Sequence, residues 1–374
     1  MKINKVQVYE LNLELKESLR ISYKNFTDIK NVLVFIETDE GYKGIGESVP
    51  LKPQTGDTQK YAIQFLESAS IVLKDQDPLD IACIHAILEK ISKKVGFNSQ
   101  TAKAAIDSAC YDIIGKTKDK PVYKILSSEK PKIVPNAVTI YISSIRETMK
   151  KVRYFIKRYR KNGLRRLKLK LSGQPRLDRD RVLAVASIFD GELVLDANQA
   201  YRDANLAIKV FNGIYDNLGS RVILIEQPSP KNDLAKLKFI SERCEIPIFA
   251  DESAATLEDF QKIVEEKSAK GINMKLQRLG GIYWGNKMAE LAKGHKMDML
   301  VGCLPESGVG IAYDANFLAG ISKYVIGSDL DTDLELKTDI VTEQSKIPFA
   351  NGMRLPLNRP GLGVELKKTV RNFK

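Results

Sequence analysis

The sequence predicts an α/β chain built on a (β/α)8-type barrel, with a small α+β unit ahead of it. Two observations carry that prediction. From about residue 133, short apolar runs alternate with helix-sized amphipathic stretches, one βα period after another. Eight such runs over roughly 200 residues match a closed parallel barrel better than an open sheet. Residues 1–47 have a different texture, with strand-like alternation and no helix between the runs. The 374 residues also exceed what one small core needs.

In chain order, Asn31–Thr38 reads as a strand, Asp39-Glu40-Gly41-Tyr42 as a turn and Lys43–Glu47 as the returning strand. Residues 48–60 carry Pro50, Pro53 and Gly56 and read as a loop. Helical patterns follow at about 58–73, 79–95 and 100–117. The last is rich in small residues (Ala102, Ala104, Ala105, Ala109, Cys110), which lets a neighbour approach its backbone closely. The candidate barrel strands are Val138–Ile142, Leu167–Leu171, Leu193–Asp196, Val222–Glu226, Ile246–Asp251, Ile272–Lys275, Met299–Gly302 and Tyr324–Asp329. The tail from about 340, with its prolines and Gly361-Leu362-Gly363, leaves the barrel pattern.

Composition removes several function classes. Only two histidines exist, His85 and His295, so acid–base work falls on Lys, Asp, Glu, Tyr or Cys. His85 lies in an apolar helical stretch, and His295 in a connection before the seventh strand, on the far side from any strand-end site. The four cysteines (Cys83, Cys110, Cys244, Cys303) form no CxxC pair and sit among apolar neighbours. They read as buried, reduced thiols of a cytoplasmic protein. The N-terminus alternates like a strand rather than like a secretory signal, and no run of about 18 apolar residues exists to span a membrane. The net charge is 59 − 47 = +12. Nine Lys/Arg between residues 153 and 170 raise the possibility of a nucleic-acid face, but most belong to the solvated side of a helix at about 146–162.

The chemistry concentrates where the strands end. Lys168 and Lys170, Asp196, Glu226, Asp251, Lys275, and Asp329 with Asp331 follow one another at gaps, from Lys170, of 26, 30, 25, 24 and 54 residues. Each gap is one βα period, or two for the last, so these side chains converge at the C-terminal mouth of a barrel. A single acid there often caps the next helix. Three in consecutive units, Asp196, Glu226 and Asp251, repel one another unless a hard cation lies between them, and oxygen ligands favour Mg²⁺. Asn198 and Glu252 adjoin these ligands and suit a supporting layer. Lys168 and Lys170 share one face of a strand and should depress each other's pKa. Lys275 faces Lys170 across the mouth, a base on either side of a metal. That arrangement suits removal of a proton α to a carboxylate on one side and its return on the other.

Together Lys168-Leu169-Lys170, Asp196-Ala197-Asn198, Glu226-Gln227-Pro228, Ala250-Asp251-Glu252-Ser253 and Lys275-Leu276-Gln277 resemble the enolase superfamily. That superfamily serves as a standard example of a Lys or His base working with Mg²⁺. A lysine on both sides resembles its muconate-lactonising subgroup. The resemblance implies an N-terminal α+β capping domain (1–130, with the tail 341–374 returning to it) and a (β/α)7β TIM-like barrel (131–340). It implies Lys170 and Lys275 as catalytic residues and Asp196, Glu226 and Asp251 as Mg²⁺ ligands.

Asp329-Leu330-Asp331 resembles the Asp-x-Asp by which dipeptide epimerases bind the substrate's α-ammonium group, a cation that needs a paired anion. Asp333 stands where the family often has proline. Glu306-Ser307 resembles a family pattern that orients catalytic groups, and Lys168 is assigned to the substrate. Specificity is implied to lie in two capping-domain segments, about 16–30 and 48–59. Within the first, Leu19-Arg20-Ile21 resembles the segment of Ala-Glu epimerases that sets Arg20 against an acidic side chain.

The expectation is therefore an isomerase: a Mg²⁺-dependent epimerase of L-Ala-Xaa dipeptides, led by L-Ala-D/L-Glu. It is expected to be a cytoplasmic homo-oligomer with no nucleic-acid or membrane partner. The rivals are o-succinylbenzoate synthesis, N-acyl amino acid racemisation and cycloisomerisation, and, remotely, a basic nucleic-acid-binding protein.

Overall fold

A computed structural model describes residues 1–368 and residue 370. Of the tail expected at 341–374, residues 369 and 371–374 lie outside the described residues. The chain opens with an antiparallel sheet of three strands, β1 (Ile3–Arg20), β2 (Asn25–Thr38) and β3 (Lys43–Ser48), in that order. The first hairpin is longer than its apolar run suggests. Its buried–exposed alternation runs from Leu11 to Leu15, breaks at a register shift between Glu14 and Leu19, and resumes at the tip, where Leu19 and Phe26 pair. That length carries the tip across to the second domain, where Ile142 N donates to Arg20 O at 2.9 Å.

Helices α1 (Lys52–Thr55), α2 (Gln59–Val72), α3 (Ile81–Val95), α4 (Gln100–Thr117) and α5 (Val122–Leu126) follow. The small residues of α4 explain its place. It lies so close on β3 that a Cβ on Gly46 would stand 1.9 Å from Ala105 O, and one on Gly44 2.0 Å from Ala109 O. Neither glycine tolerates a side chain, because the clash is with backbone. His85 is a core residue of α3 and contacts Asp107 of α4 at 2.7 Å.

The second unit is an eight-stranded parallel sheet with strands in sequential order. Its elements run β4 (Val138–Ile140), α6 (Ile145–Tyr159), β5 (Arg166–Lys170), α7 (Pro175–Ala186), β6 (Glu192–Asp196), α8 (Ala204–Leu218) and β7 (Val222–Glu226). There follow α9 (Leu234–Ser241), β8 (Ile248–Ala250), α10 (Leu257–Glu266), β9 (Gly271–Met274), the short α11 (Leu276–Leu279), α12 (Ile282–Gly294), β10 (Asp298–Gly302), α13 (Gly308–Ile321) and β11 (Val325–Asp329). All eight strands read from the apolar runs are present. The barrel closes where Asn136, just ahead of β4, bridges Ser328 of β11. Among the described residues no α-helix follows β11, only 3₁₀ turns at Thr332–Glu335 and Glu343–Ser345, so the architecture is (β/α)7β. Val194, Leu224, Phe249 and Leu300 fill the barrel interior.

The tail carries a small hairpin, β12 (Phe349–Ala350) with β13 (Met353–Arg354), and then turns back toward the first domain. Leu362 N donates to Asp112 of α4 at 2.8 Å, and Val122 N to Gly361 O at 3.0 Å. The cysteines are all free; Cys110 and Cys303 are buried, but Cys244 is half-buried and Cys83 exposed, because its face of α3 points to solvent. No helix among the described residues is long and apolar enough to cross a membrane.

Candidate active site

The barrel register sets the site out as a row. Lys170 on β5 pairs with Asp196 on β6, and Asp196 with Glu226 on β7. Asp251 and Lys275 each stand one residue beyond the ends of β8 and β9. The three carboxylates are buried, and they offer oxygens all within 4.8 Å of one another. Strands β5 and β9 are four apart in a barrel of eight, which sets Lys170 and Lys275 on opposite walls.

Cations hold this row together. Lys170 Nζ lies 2.6 Å from Asp196, Lys275 Nζ lies 2.8 Å from Asp251, and Arg278 Nη2 also donates to Asp251. Lys168 Nζ reaches Glu226 at 2.9 and 3.0 Å and Asp196 at 3.0 Å. Burial alone would raise the Asp196 carboxyl, but Lys168 and Lys170 bring it down to about 2. Burial works the same way at Asp251, and Arg278 and Lys275 hold it well below the usual carboxylate range. At Glu226 burial and the neighbouring Asp196 prevail and push the carboxyl well up. Burial works to lower Lys275, but Asp251 overrides it and the pKa is raised.

The residues fit a hard divalent cation. The donors are all carboxylate oxygens on separate strands, which is what Mg²⁺ takes. Beside them the Asn198 Oδ1 and Glu252 Oε2 atoms are buried acceptors without a protein partner. Asn198 is itself tied to the row: its N–H donates to Asp196 Oδ1 at 2.9 Å and its Nδ2 to Glu252 Oε1 at 3.1 Å. The backbone bends sharply as it leaves the strands, with φ of +39°, +66° and +39° at Asn198, Gln199 and Gln227. Such strain, about 1–3 kcal/mol per residue, persists only where surrounding contacts enforce it. Here Gln227 Oε1 accepts from Asp251 N at 2.9 Å and Ser253 N at 3.0 Å, fixing the loop that carries Asp251.

Above the row lies a solvent-open cleft. Lys170, Lys275, Asp329 and Asp331 all reach it, together with Thr139, Tyr141 and Cys303. The remaining wall is largely apolar: Leu19, Ile21, Phe26 and Leu51 from the first domain, and Leu304 and Pro305 from the loop after β10. Asp331 accepts from Thr139 N at 2.5 Å, and burial raises its carboxyl to about 7. The extra acid, Asp333, faces away and binds the buried Arg354 at 2.5 Å. It leaves the Asp329–Asp331 pair undisturbed.

Four expectations need correction. Arg20 does not line the cleft. It is exposed, because strand alternation turns its neighbours Leu19 and Ile21 inward and Arg20 out. Lys168 faces the same way as Lys170, but two residues deeper in the barrel; it is sealed below the floor and does not line the cleft. Nor is Lys168 depressed there. Burial would lower Lys168, yet Asp196, Asp329 and Glu226 raise it well above the ordinary lysine value. Glu306 is placed by its contact with Leu304 N at 2.9 Å, behind the cleft wall, and touches neither Lys170 nor Lys275.

Other residues escaped the sequence reading. Asn273, two before Lys275 on β9, donates to Glu226 at 3.0 Å; the period of two was the signal that it faces inward. Arg278 and Tyr141 had no such signal, and Gln227 stands in the Glu226-Gln227-Pro228 motif without an assigned role.

Comparison with known proteins agrees with this geometry. Residues 3–127 match the model of the mandelate racemase / muconate lactonizing enzyme N-terminal domain, and residues 151–370 match the enolase C-terminal domain-like model. The chain is 31% identical over 345 residues to the hydrophobic dipeptide epimerase of Enterococcus faecalis, covering 91% of this chain and 94% of that protein. It is 30% identical over 370 residues to the L-Ala-D/L-Glu epimerase of Clostridium acetobutylicum (98% and 99% covered). It is 28% identical over 374 residues to the N-succinyl-L-Arg/Lys racemase of Bacillus cereus (98% and 96% covered). The crystal structure of the Enterococcus faecalis dipeptide epimerase complexed with Mg and L-Leu-L-Tyr superposes with a TM-score of 0.89 at 30% identity, covering 98% of this chain and all of that one.

Proposed function

The chain belongs to the enolase superfamily, in its mandelate racemase / muconate lactonizing branch, and is an epimerase-type isomerase; from that premise we propose that it inverts the α-carbon of the C-terminal residue of a dipeptide with Mg²⁺ as cofactor. The observation that carries this reading is the pair of lysines, Lys170 and Lys275, opening onto one cleft from opposite walls with a carboxylate row between them. One base removes the α-proton from one face of the substrate, and the ammonium opposite delivers a proton to the other.

Asp196, Glu226 and Asp251 would hold the Mg²⁺, which supplies positive charge to a substrate carboxylate as its α-carbon loses a proton. The protein does the rest. Asp329 and Asp331 receive the substrate's α-ammonium group and so set the register of the dipeptide. Lys168 and Asn273 fix Asp329 from below, at 2.6 and 3.5 Å. With substrate seated, the apolar wall would shield the reacting carbon from water.

Within the L-Ala-Xaa class, L-Ala-D/L-Glu loses the residue that singled it out, since Arg20 points to solvent. The wall formed by Leu19, Ile21, Phe26 and Leu51 favours an apolar second side chain instead. The relative named for hydrophobic dipeptides supports this order.

The test is α-proton exchange in D₂O, followed by NMR with and without Mg²⁺. The panel is L-Ala-L-Leu, L-Ala-L-Phe, L-Ala-L-Glu and an N-succinyl amino acid. Mg²⁺-dependent exchange, fastest with the apolar dipeptides, is expected. Exchange with the N-succinyl compound alone would replace this reading with N-acyl amino acid racemisation.

A further inference from the structure

Both capping segments meet the barrel at one polar junction. At the tip of the β1–β2 hairpin, the Tyr23 hydroxyl lies 3.3 Å from Glu252 Oε1 and accepts from Gln54 Nε2 of α1 at 2.7 Å. The neighbouring Ser22 Oγ donates to Asn198 O at 2.5 Å. Asn198 and Glu252 are joined to each other and flank the carboxylate row. Tyr23 is therefore the atom-level link between the 16–30 segment, the 48–59 segment and the rim of the site. Part of the Tyr23 ring is exposed, and its phenol is a neutral O–H donor near neutral pH. Glu252 is also held by Asn198 at 3.1 Å, whereas Gln54 Oε1 is buried without a partner, so the Tyr23 oxygen is what joins Gln54 to this rim.

We infer that Tyr23 is a positioning residue, a clasp that holds the two substrate-facing segments closed as one unit on Glu252. The inference rests on the proposed reaction only for its kinetic readout. Leu19, Ile21 and Phe26 lie on one segment and Leu51 on the other, so the apolar wall is complete only when both are down. The 48–59 segment has its own anchor where Val49 N donates to Gln277 Oε1 at 3.2 Å, but Gln54 reaches the barrel rim through the Tyr23 oxygen, so loosening the hairpin tip loosens α1.

Hydrogen–deuterium exchange with peptide mass spectrometry, on the full chain without ligand, tests the clasp. In Tyr23→Phe, amides at 20–26 and also at 50–56 should exchange about five- to fifty-fold faster, while those of β6 keep their rates. Gln54→Ala should loosen the same two segments. With the best dipeptide, KM should rise at least about fivefold while kcat stays within about twofold. Wild-type exchange at 50–56 in Tyr23→Phe overturns the clasp, as does a fall in kcat with KM unchanged. A wild-type protein inactive on every dipeptide overturns the proposed function, and the exchange rates still decide the clasp.

Discussion

Lys168 is bonded to Asp329 at 2.6 Å, and the same ammonium reaches Glu226 at 2.9 Å. It thus ties β5 to β7 and β11 beneath the floor of the cleft. Removing it leaves several buried acids with one cation fewer, a change that typically costs about 3–5 kcal/mol when a buried pair is broken. Lys168→Met should therefore lower the thermal midpoint by several degrees in calorimetry and weaken dipeptide binding through a loosened Asp329. An unchanged midpoint with lost activity would instead make Lys168 a group that meets substrate.

Lys170 and Lys275 differ from Lys168 in that both open onto the cleft. Each alanine variant should keep its fold and lose epimerisation by at least about 100-fold, the usual weight of a general base. The NMR signature separates their roles. Lys170→Ala should still exchange the α-proton of one epimer in D₂O, and Lys275→Ala that of the other. Exchange of both epimers by either single variant would exclude a two-base pathway.

Much of this was legible in the sequence, for a physical reason. Residues at the ends of barrel strands converge wherever one βα period separates them, so Lys170, Asp196, Glu226, Asp251 and Lys275 could be gathered from spacing alone. What spacing does not carry is depth and parity. Lys168 shares the face of Lys170 but lies roughly 6.6 Å further down the strand, enough to bury it under the floor. The alternation Leu19-Arg20-Ile21 already turned Arg20 away from any wall made by its neighbours. Contacts between distant segments, such as Asp333 with Arg354 or Tyr23 with Glu252, leave no local pattern at all.

Asp331 gives the site a pH dependence. Burial raises its carboxyl to about 7, so below that pH the folded protein holds it neutral. A neutral acid pairs poorly with the substrate's ammonium group, so binding should strengthen as pH rises through 7. The expected profile is a kcat/KM that falls up to tenfold per pH unit below about pH 7. In Asp331→Asn that acidic limb should flatten, with a higher KM at every pH. A limb that survives the substitution assigns the titration to another group.

Glu47 makes the last prediction, because it joins the two domains behind the site. This buried carboxylate of β3 accepts from Ser307 Oγ at 2.6 Å, Ser307 N at 3.0 Å and Gly310 N at 2.9 Å, at the start of α13. An anion at a helix N-terminus is favourable both for its hydrogen bonds and for the helix dipole. Asn31 Nδ2 spans the same gap, donating to Glu47 at 2.7 Å and to Pro305 O at 2.8 Å. Pro305 lines the cleft, so the anchor reaches the wall of the site itself. Glu47→Gln keeps the volume but turns an amide N–H₂ toward N–H donors. Losing a charge-assisted set of this kind should cost about 1.5–3 kcal/mol or more. The midpoint in urea should fall accordingly while the slope of the transition is preserved, since no surface is newly exposed in the folded state. A shallower slope, or two transitions, would show that Glu47 holds the domains together and that without it they unfold separately.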